Sequence, residues 1–245
     1  MTTSRLCLLI ALLILAGTHF GYYPKWKKSG TETTISWDVS GYYLYLPAIF
    51  IYKDLKQIKF KDEILQKYHP TPELQQVFLH KDSGNFVMKY SIGQAILLSP
   101  GFLIAHMWAG VSSTHPSDGF SFPYQFSISM WVFFLTILGL VILRKSLLCY
   151  FGELPTGLSI LGIVLGSNYL NYAAIDGAMT HNTLFTVYSL LIWTTIKFYE
   201  KPDLIKALFI GGLVGLAALT RPTEIISAVI PVLWGVHLLK RKSVL

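Results

Sequence analysis

Uncharged apolar runs recur along the chain, separated by polar segments that hold nearly all of the charge. The first run, Leu6–Phe20, follows Arg5. A basic residue ahead of a short apolar core also fits a signal peptide, but Ala16-Gly17-Thr18 makes a poor cleavage site, so the run reads as a retained anchor. Tyr22, Tyr23 and Trp26 follow it as an interfacial aromatic belt. Five later runs read as spans: Phe126–Leu143, Leu158–Ala174, Leu184–Ile196, Leu208–Leu219 and Ile225–Leu239. Some are shorter than the roughly 20 residues a bilayer asks of a helix, and flanking Lys197, Lys206 and Lys240 can snorkel to the interface.

Ile92–Val111 is also uncharged and long enough to span, yet it contains Gln94, Ser99-Pro100-Gly101 and His106. Before it lies the polar stretch Pro24–Lys89, which holds no run able to cross. Within that stretch, Tyr42–Tyr52 places aromatic and aliphatic residues at helical spacing and predicts a helix lying along a membrane surface. Asp54–Lys67 predicts a solvated helix, broken by His69-Pro70-Thr71-Pro72.

The basic clusters decide how these segments thread a bilayer. With a cytoplasmic amino terminus and Ile92–Val111 on the surface or re-entrant, Arg144-Lys145, the Lys197/Lys201/Lys206 group and Lys240-Arg241-Lys242 all join Arg5 on the cytoplasmic side. The other side then collects Asp38, Lys89, Asp118, Asp176, His181 and Arg221. If Ile92–Val111 spans, the same orientation puts every basic cluster outside. The remaining rival reverses the first span and makes the Pro24–Lys89 loop cytoplasmic; long loops weigh little in the rule, so it stays open. The preferred expectation is six spans with both termini in the cytoplasm.

The expected fold class is therefore all-α, a polytopic membrane helical bundle with a long external loop carrying juxtamembrane helices. Residues 1–23 form the first anchor, 24–124 the external loop and 125–245 a five-helix bundle, together one integrated membrane domain. Small residues four apart, Gly162/Gly166 and Gly211/Gly215, predict close helix packing in lipid.

Composition sharpens the class. Hydrophobic residues make up 53% of the 245 and charged residues 13%, about half the charge of an ordinary soluble domain. Mean hydropathy is +0.50. The net charge of +7 would suggest nucleic acid for a soluble protein, but charge at the ends of apolar runs points instead to anionic lipid. The two cysteines, Cys7 and Cys149, sit in or beside apolar segments and behave as small apolar residues. No phosphate-binding glycine loop, paired-cysteine metal motif or serine nucleophile elbow is present in the sequence.

One short motif then stands out. Trp37-Asp38 followed by Gly41-Tyr42-Tyr43, just after the first span, resembles the start of the first external loop of the GT-C glycosyltransferases. Lys89-Tyr90-Ser91-Ile92-Gly93 with Leu98-Ser99-Pro100 resembles the later part of that loop. Asp118-Gly119-Phe120-Ser121 before Pro123-Tyr124-Gln125, Thr180-His181-Asn182-Thr183-Leu184-Phe185 and Leu219-Thr220-Arg221-Pro222-Thr223-Glu224 extend the resemblance. It is nearest to the bacterial branch related to protein O-mannosyltransferases and lipid A aminoarabinose transferases. Members of that branch are usually longer, so the chain reads as a fragment or a reduced form.

The resemblance implies transfer of a sugar from a polyprenyl-phosphate carrier to a lipid, glycan or protein acceptor, with inversion, on the outer face of the cytoplasmic membrane. That chemistry needs a base for the acceptor hydroxyl and cations for the departing phosphate. On it, Asp38 is the candidate base; residue by residue the same aspartate also reads as a helix N-cap. Lys89 and Arg221 are candidates for the carrier phosphate or plain interfacial anchors. His181, Tyr42 and Tyr43 are candidate substrate contacts, and Trp37 and Tyr45 could also stack on a sugar. Asp176 is most simply a structural hydrogen-bonding group, and Glu224 an ion-pair partner for Arg221. No cofactor is required. The seven histidines are scattered, and a divalent ion shared by Asp38 and another acid is possible without being indicated. The competing class is a non-catalytic multi-pass membrane protein: an inactive fragment, a transporter or an assembly partner.

Overall fold

A computed structural model describes residues 1–73 and 75–235. The Lys240-Arg241-Lys242 cluster, His237 and the last part of the Ile225–Leu239 run lie outside the described residues. The architecture is almost wholly helical. Helix α1 (Thr3–Ala16) continues as a π-helical stretch, Gly17–Tyr22. Short helices α2 (Asp38–Tyr43), α3 (Tyr45–Phe50) and α4 (Lys61–Tyr68) follow in the polar segment. A two-stranded antiparallel hairpin, β1 (Val77–His80) with β2 (Asn85–Met88), comes next. Then come α5 (Gly93–Val111), α6 (Phe122–Leu147), α7 (Glu153–Leu165), α8 (Tyr169–Ala174), α9 (Thr180–Glu200), α10 (Leu204–Thr220) and α11 (Val229–Trp234), the last preceded by a 3-10 stretch, Pro222–Ala228.

Among the described residues, three helical segments are long and apolar enough to cross a membrane: Thr3–Lys27, Gly93–Val111 and Phe122–Leu147. Their boundaries follow local chemistry. α6 starts with Pro123 in its first turn, where a missing N–H costs nothing, and ends on Arg144 and Lys145, cations beside the negative end of the helix dipole. Asp203 caps α10 by accepting from the Lys206 N–H at 2.8 Å, and Pro222 ends that helix.

The helices pack in a definite sense. Arg144 Nε donates to Ser4 Oγ at 2.7 Å, whereas the Trp26 and Phe126 rings meet at 6.0 Å, so α1 and α6 are antiparallel. α7 runs parallel to α1, with Glu153 accepting from the Ser4 N–H at 3.0 Å and Ile160 and Val164 packed with Ala11 and Leu15. α9 is parallel to α6: Asn182 Nδ2 donates to the Val132 carbonyl at 3.2 Å, and Thr186 donates to the Leu135 carbonyl at 2.8 Å. α10 returns along α9 through Leu184, Val187 and Leu191 against Leu213 and Ala217. One end of the bundle thus carries Ser4, Arg144 and Glu153, and the other carries Trp26 and the start of α6. α5 lies along the amino-terminal half of α6. Its contacts run from the Leu97 carbonyl, which accepts from Trp131 Nε1 at 2.8 Å, to His106, 2.7 Å from the Tyr124 hydroxyl.

Four expectations change. The helix predicted over Tyr42–Tyr52 breaks at Leu44 into α2 and α3, because Pro47 cannot donate to the Tyr43 carbonyl and its ring crowds that oxygen. Both pieces are largely buried, not laid on a surface: Tyr43, Leu44, Leu46 and Ala48 join a core with Phe102, Phe120 and Tyr124. Asp54–Lys67 is helical only from Lys61, since the Asp54 carboxylate takes the Gln57 and Lys59 N–H groups at 2.8 and 3.0 Å and fixes a turn instead. The run Leu158–Ala174 is split between α7 and α8. Finally, Gly162, Gly211 and Gly215 have nothing within 4 Å of an added Cβ and Gly166 meets only Gly162 of its own helix, so the glycine pairs pack against no other helix among the described residues.

Apolar side chains also face outward. On α5, Ile96, Leu103, Ile104, Met107, Trp108 and Val111 are exposed, and Leu6, Leu13, Phe134, Leu158, Leu208 and Ile226 continue that surface on other elements.

Candidate functional site

At the Trp26 end, segments far apart in sequence meet through glycines. A Cβ on Gly41 would fall 2.8 Å from Tyr90 ring carbons and from Gln76 Oε1, so only glycine lets Tyr90 close on α2. The Tyr42 and Tyr90 rings then lie 4.1 Å apart, and the Tyr45 hydroxyl donates to the Tyr90 carbonyl at 2.6 Å. Gly93 is tighter still. A Cβ there would sit 2.2 Å from the Thr220 nitrogen and 2.3 Å from the Leu219 carbonyl carbon, so the start of α5 touches the backbone at the end of α10. Gln94 bridges to the third segment, donating to the Ala178 carbonyl at 2.8 Å and accepting from Thr183 Oγ1 at 2.6 Å. The motifs around Asp38, Lys89, His181 and Arg221 are thereby brought to one place.

The Asp118 motif anchors this assembly from outside. Its Oδ1 accepts the Phe120 and Ser121 N–H groups at 3.0 and 3.1 Å; its Oδ2 accepts from Tyr68 at 2.5 Å and Lys67 at 2.9 Å. Gly119, at φ +91, presses against Pro47 of α3. Gln125 takes the Ile35 N–H at 2.8 Å and so ties the chain just before Asp38 to α6.

Asp38 is the first residue of α2, and Trp37 holds the cap position; no side chain caps this helix. The N-cap reading of Asp38 is therefore not what the geometry gives. The aspartate is half-buried and forms no ion pair among the described residues. Beside it, the Tyr90 hydroxyl is pushed up by burial first, then by a hydrogen bond to Asp38 and by that group's charge. Tyr42 is also raised, chiefly by burial; Thr180 and the Arg221 charge pull it back and Asp38 pushes it up. Both phenols stay protonated at neutral pH and can donate to a carboxylate.

Arg221 is exposed, in extended backbone between α10 and Pro222, and no carboxylate lies within ion-pair distance of it among the described residues. The partner expected for it, Glu224, instead accepts from the Tyr188 hydroxyl at 2.5 Å. His181 is exposed, stacks on Tyr172 with centroids 4.1 Å apart, and lies within Coulombic reach of Arg221. Lys89 is exposed at the margin, its amine 5.0 Å over the Tyr90 ring and its N–H held by the Gln76 carbonyl at 2.9 Å. Asp176 pairs with Lys25 at 2.8 Å and accepts from Asn171 at 2.9 Å, a tie between α8 and the segment after α1.

Tyr43 is the sequence candidate that cannot meet a ligand. It is fully buried, its hydroxyl donates to the Gly119 carbonyl at 2.6 Å, and its ring packs edge-on against Phe120. Tyr90 and Thr180 are the residues that residue-by-residue selection missed; both sit inside the motifs quoted above, which was their only signal. No group of three His, Cys, Asp or Glu side chains able to hold a metal lies among the described residues.

Among the described residues the fold defines a predominantly α-helical chain with three helices of membrane-crossing length and apolarity, and one end at which a carboxylate and a guanidinium without ion-pair partners lie with a pair of tyrosines. Compared with known proteins, the chain matches no family model, no curated protein and no solved structure.

Proposed function

We propose that the chain is an integral membrane glycosyltransferase of GT-C type, moving a sugar from a polyprenyl-phosphate carrier to an external acceptor. The observation that carries the reading is the unpaired state of two opposite charges in one assembled site. Among the described residues Asp38 has no ion pair and caps no helix, and Arg221 has no carboxylate partner, whereas Asp118, Asp176, Glu153 and Asp203 are all paired elsewhere. In the proposed reaction Asp38 takes the acceptor proton. Arg221, with Lys89 at the margin, holds the phosphate as negative charge develops on it. Tyr42 and Tyr90 keep the carboxylate oriented. His181, exposed beside Arg221, completes the polar rim.

If Arg221 meets the carrier phosphate, Arg221→Ala weakens polyprenyl-phosphate binding by about tenfold or more, and Arg221→Lys recovers only part of it because the two-pronged geometry is lost. Equilibrium binding to protein in lipid nanodiscs measures this. Unchanged binding in a folded Arg221→Ala protein returns the residue to an interfacial anchor.

The site end faces outward in this proposal, and the basic end, with Arg5, Arg144, Lys197 and Lys206, faces the cytoplasm. Two features favour it: the basic groups that flank the apolar helices, Arg5, Arg144, Lys145, Lys197 and Lys206, lie opposite Asp38, the lysines of the long Pro24–Lys89 segment weighing little in the rule, and α5 packs along the Asp38-side half of α6, as a re-entrant helix would. Exposed Ser83 and half-buried Ser117, replaced singly by cysteine, are expected to react with an impermeant thiol reagent from outside intact cells. Exposed Cys149 at the other end is expected to react only after the membrane is opened. The reverse pattern removes both the topology and the proposed reaction.

A further inference from the structure

Trp37 is the least economical residue in the site. Its backbone adopts φ 50, ψ −131, a conformation that costs a non-glycine residue on the order of 1–3 kcal/mol. It is nevertheless held firmly: its N–H donates to the Pro70 carbonyl at 3.0 Å. Its carbonyl accepts from the Ser40 N–H at 3.1 Å, Ser40 Oγ at 2.6 Å and Gln76 Nε2 at 3.1 Å. The reward is not packing, because 53% of the side chain stays exposed.

The exposed indole forms one wall of a groove of about 270 Å³, whose other described walls are Thr71, Pro72, Glu73, Gln75 and Gln76. These neighbours are mostly not those of a lipid-facing tryptophan: Glu73 and Gln75 are exposed polar groups, and Pro72 is the one exposed apolar residue among the other described walls. Nor is it an anion site. Its single charged wall is Glu73, and no cation lines it among the described residues. A flat aromatic face flanked by an exposed carboxylate and an exposed amide suits a neutral pyranose ring. Its C–H face stacks on the indole while its hydroxyls donate to Glu73 and exchange hydrogen bonds with Gln75.

We infer that this groove is the acceptor subsite and takes a neutral hexopyranose, with the Trp37 indole as its platform. The inference rests on the glycosyl-transfer reading for the word acceptor. Trp37 is bonded directly to Asp38, so the groove lies beside the start of α2. Arg221 and Lys89, assigned above to the carrier phosphate, take no part in the groove walls. Donor and acceptor thus approach α2 from different sides.

The test is saturation-transfer difference NMR on nanodisc-embedded protein with methyl hexopyranosides as probes. Wild type is expected to transfer saturation to ring C–H protons, and methyl glucuronide, which is anionic, is expected to bind about tenfold more weakly. Trp37→Gly is the informative variant: glycine adopts φ 50 without strain, so the protein folds at least as well, yet affinity is expected to fall about tenfold or more. Glu73→Gln is expected to narrow the gap between neutral and anionic probes. Absence of binding in wild type, or equal binding in well-folded Trp37→Gly, overturns the inference. Because binding is read without transfer, an inactive Asp38→Asn protein that still binds the probe leaves the subsite standing, and failure of the transfer reading alone would show as probe binding without any turnover.

Discussion

Asp38→Asn is expected to insert and fold normally and to slow sugar transfer by about 10²-fold or more, the usual scale for losing a general base. The substitution keeps size and hydrogen-bonding shape but removes basicity. Folding is expected to tolerate it because the carboxylate caps no helix and closes no ion pair; Trp37 holds the cap position and the Ser36 carbonyl takes the Val39 N–H at 3.1 Å. Donor binding is expected to persist, since Arg221 and Lys89 are untouched. Transfer assayed with polyprenyl-phosphate sugar in reconstituted membranes, beside donor binding on the same preparation, separates the two steps. Equal rates for wild type and Asp38→Asn would take the base away from Asp38 and leave the reaction without a candidate.

Gly93→Ala is expected to damage the site from the other direction, through packing. The added methyl would lie 2.2 Å from a backbone nitrogen and 2.5 Å from a backbone oxygen, and backbone cannot swing aside as a side chain can. Overpacking of this kind costs about 1–3 kcal/mol, read as a lower unfolding midpoint in detergent, and it pushes the end of α10 away from α5. Arg221 follows directly on Thr220, so carrier binding is expected to fall with stability. Gly211→Ala is the matched control on α10: its added methyl meets nothing, and the better helix propensity of alanine is expected to leave stability unchanged or raised by up to about 1 kcal/mol. Equal behaviour of the two variants would mean that α5 and α10 do not touch as described.

How much of this was legible beforehand depends on the kind of signal. Long uncharged runs announce themselves, and Phe126–Leu143, Leu184–Ile196 and Leu208–Leu219 all fall inside single helices. The hairpin Val77–Met88 was not foreseen, since two four-residue strands with Phe78, Leu79 and Val87 exposed carry too little alternation to be read. Tyr42 and Tyr43 show another limit. Adjacent residues on a short helix point about 100° apart, and nothing in sequence says which of two tyrosines faces the core. The glycine pairs misled for a related reason: spacing shows that two glycines share a face, not that anything lies opposite. Asp38 and Arg221 were found only through motif resemblance, because their proximity depends on Gly41 and Gly93 admitting other backbone and rings.

The dependence of the site on α10 also has a consequence in time. Asp38 is translated well before Arg221, so the carboxylate first exists with no guanidinium across from it. The start of α5 must likewise wait, its Gly93 face uncovered, until α10 arrives. Assembly of the proposed site thus waits for α10, and on the glycosyl-transfer reading a chain that ends before Arg221 does not hold the carrier.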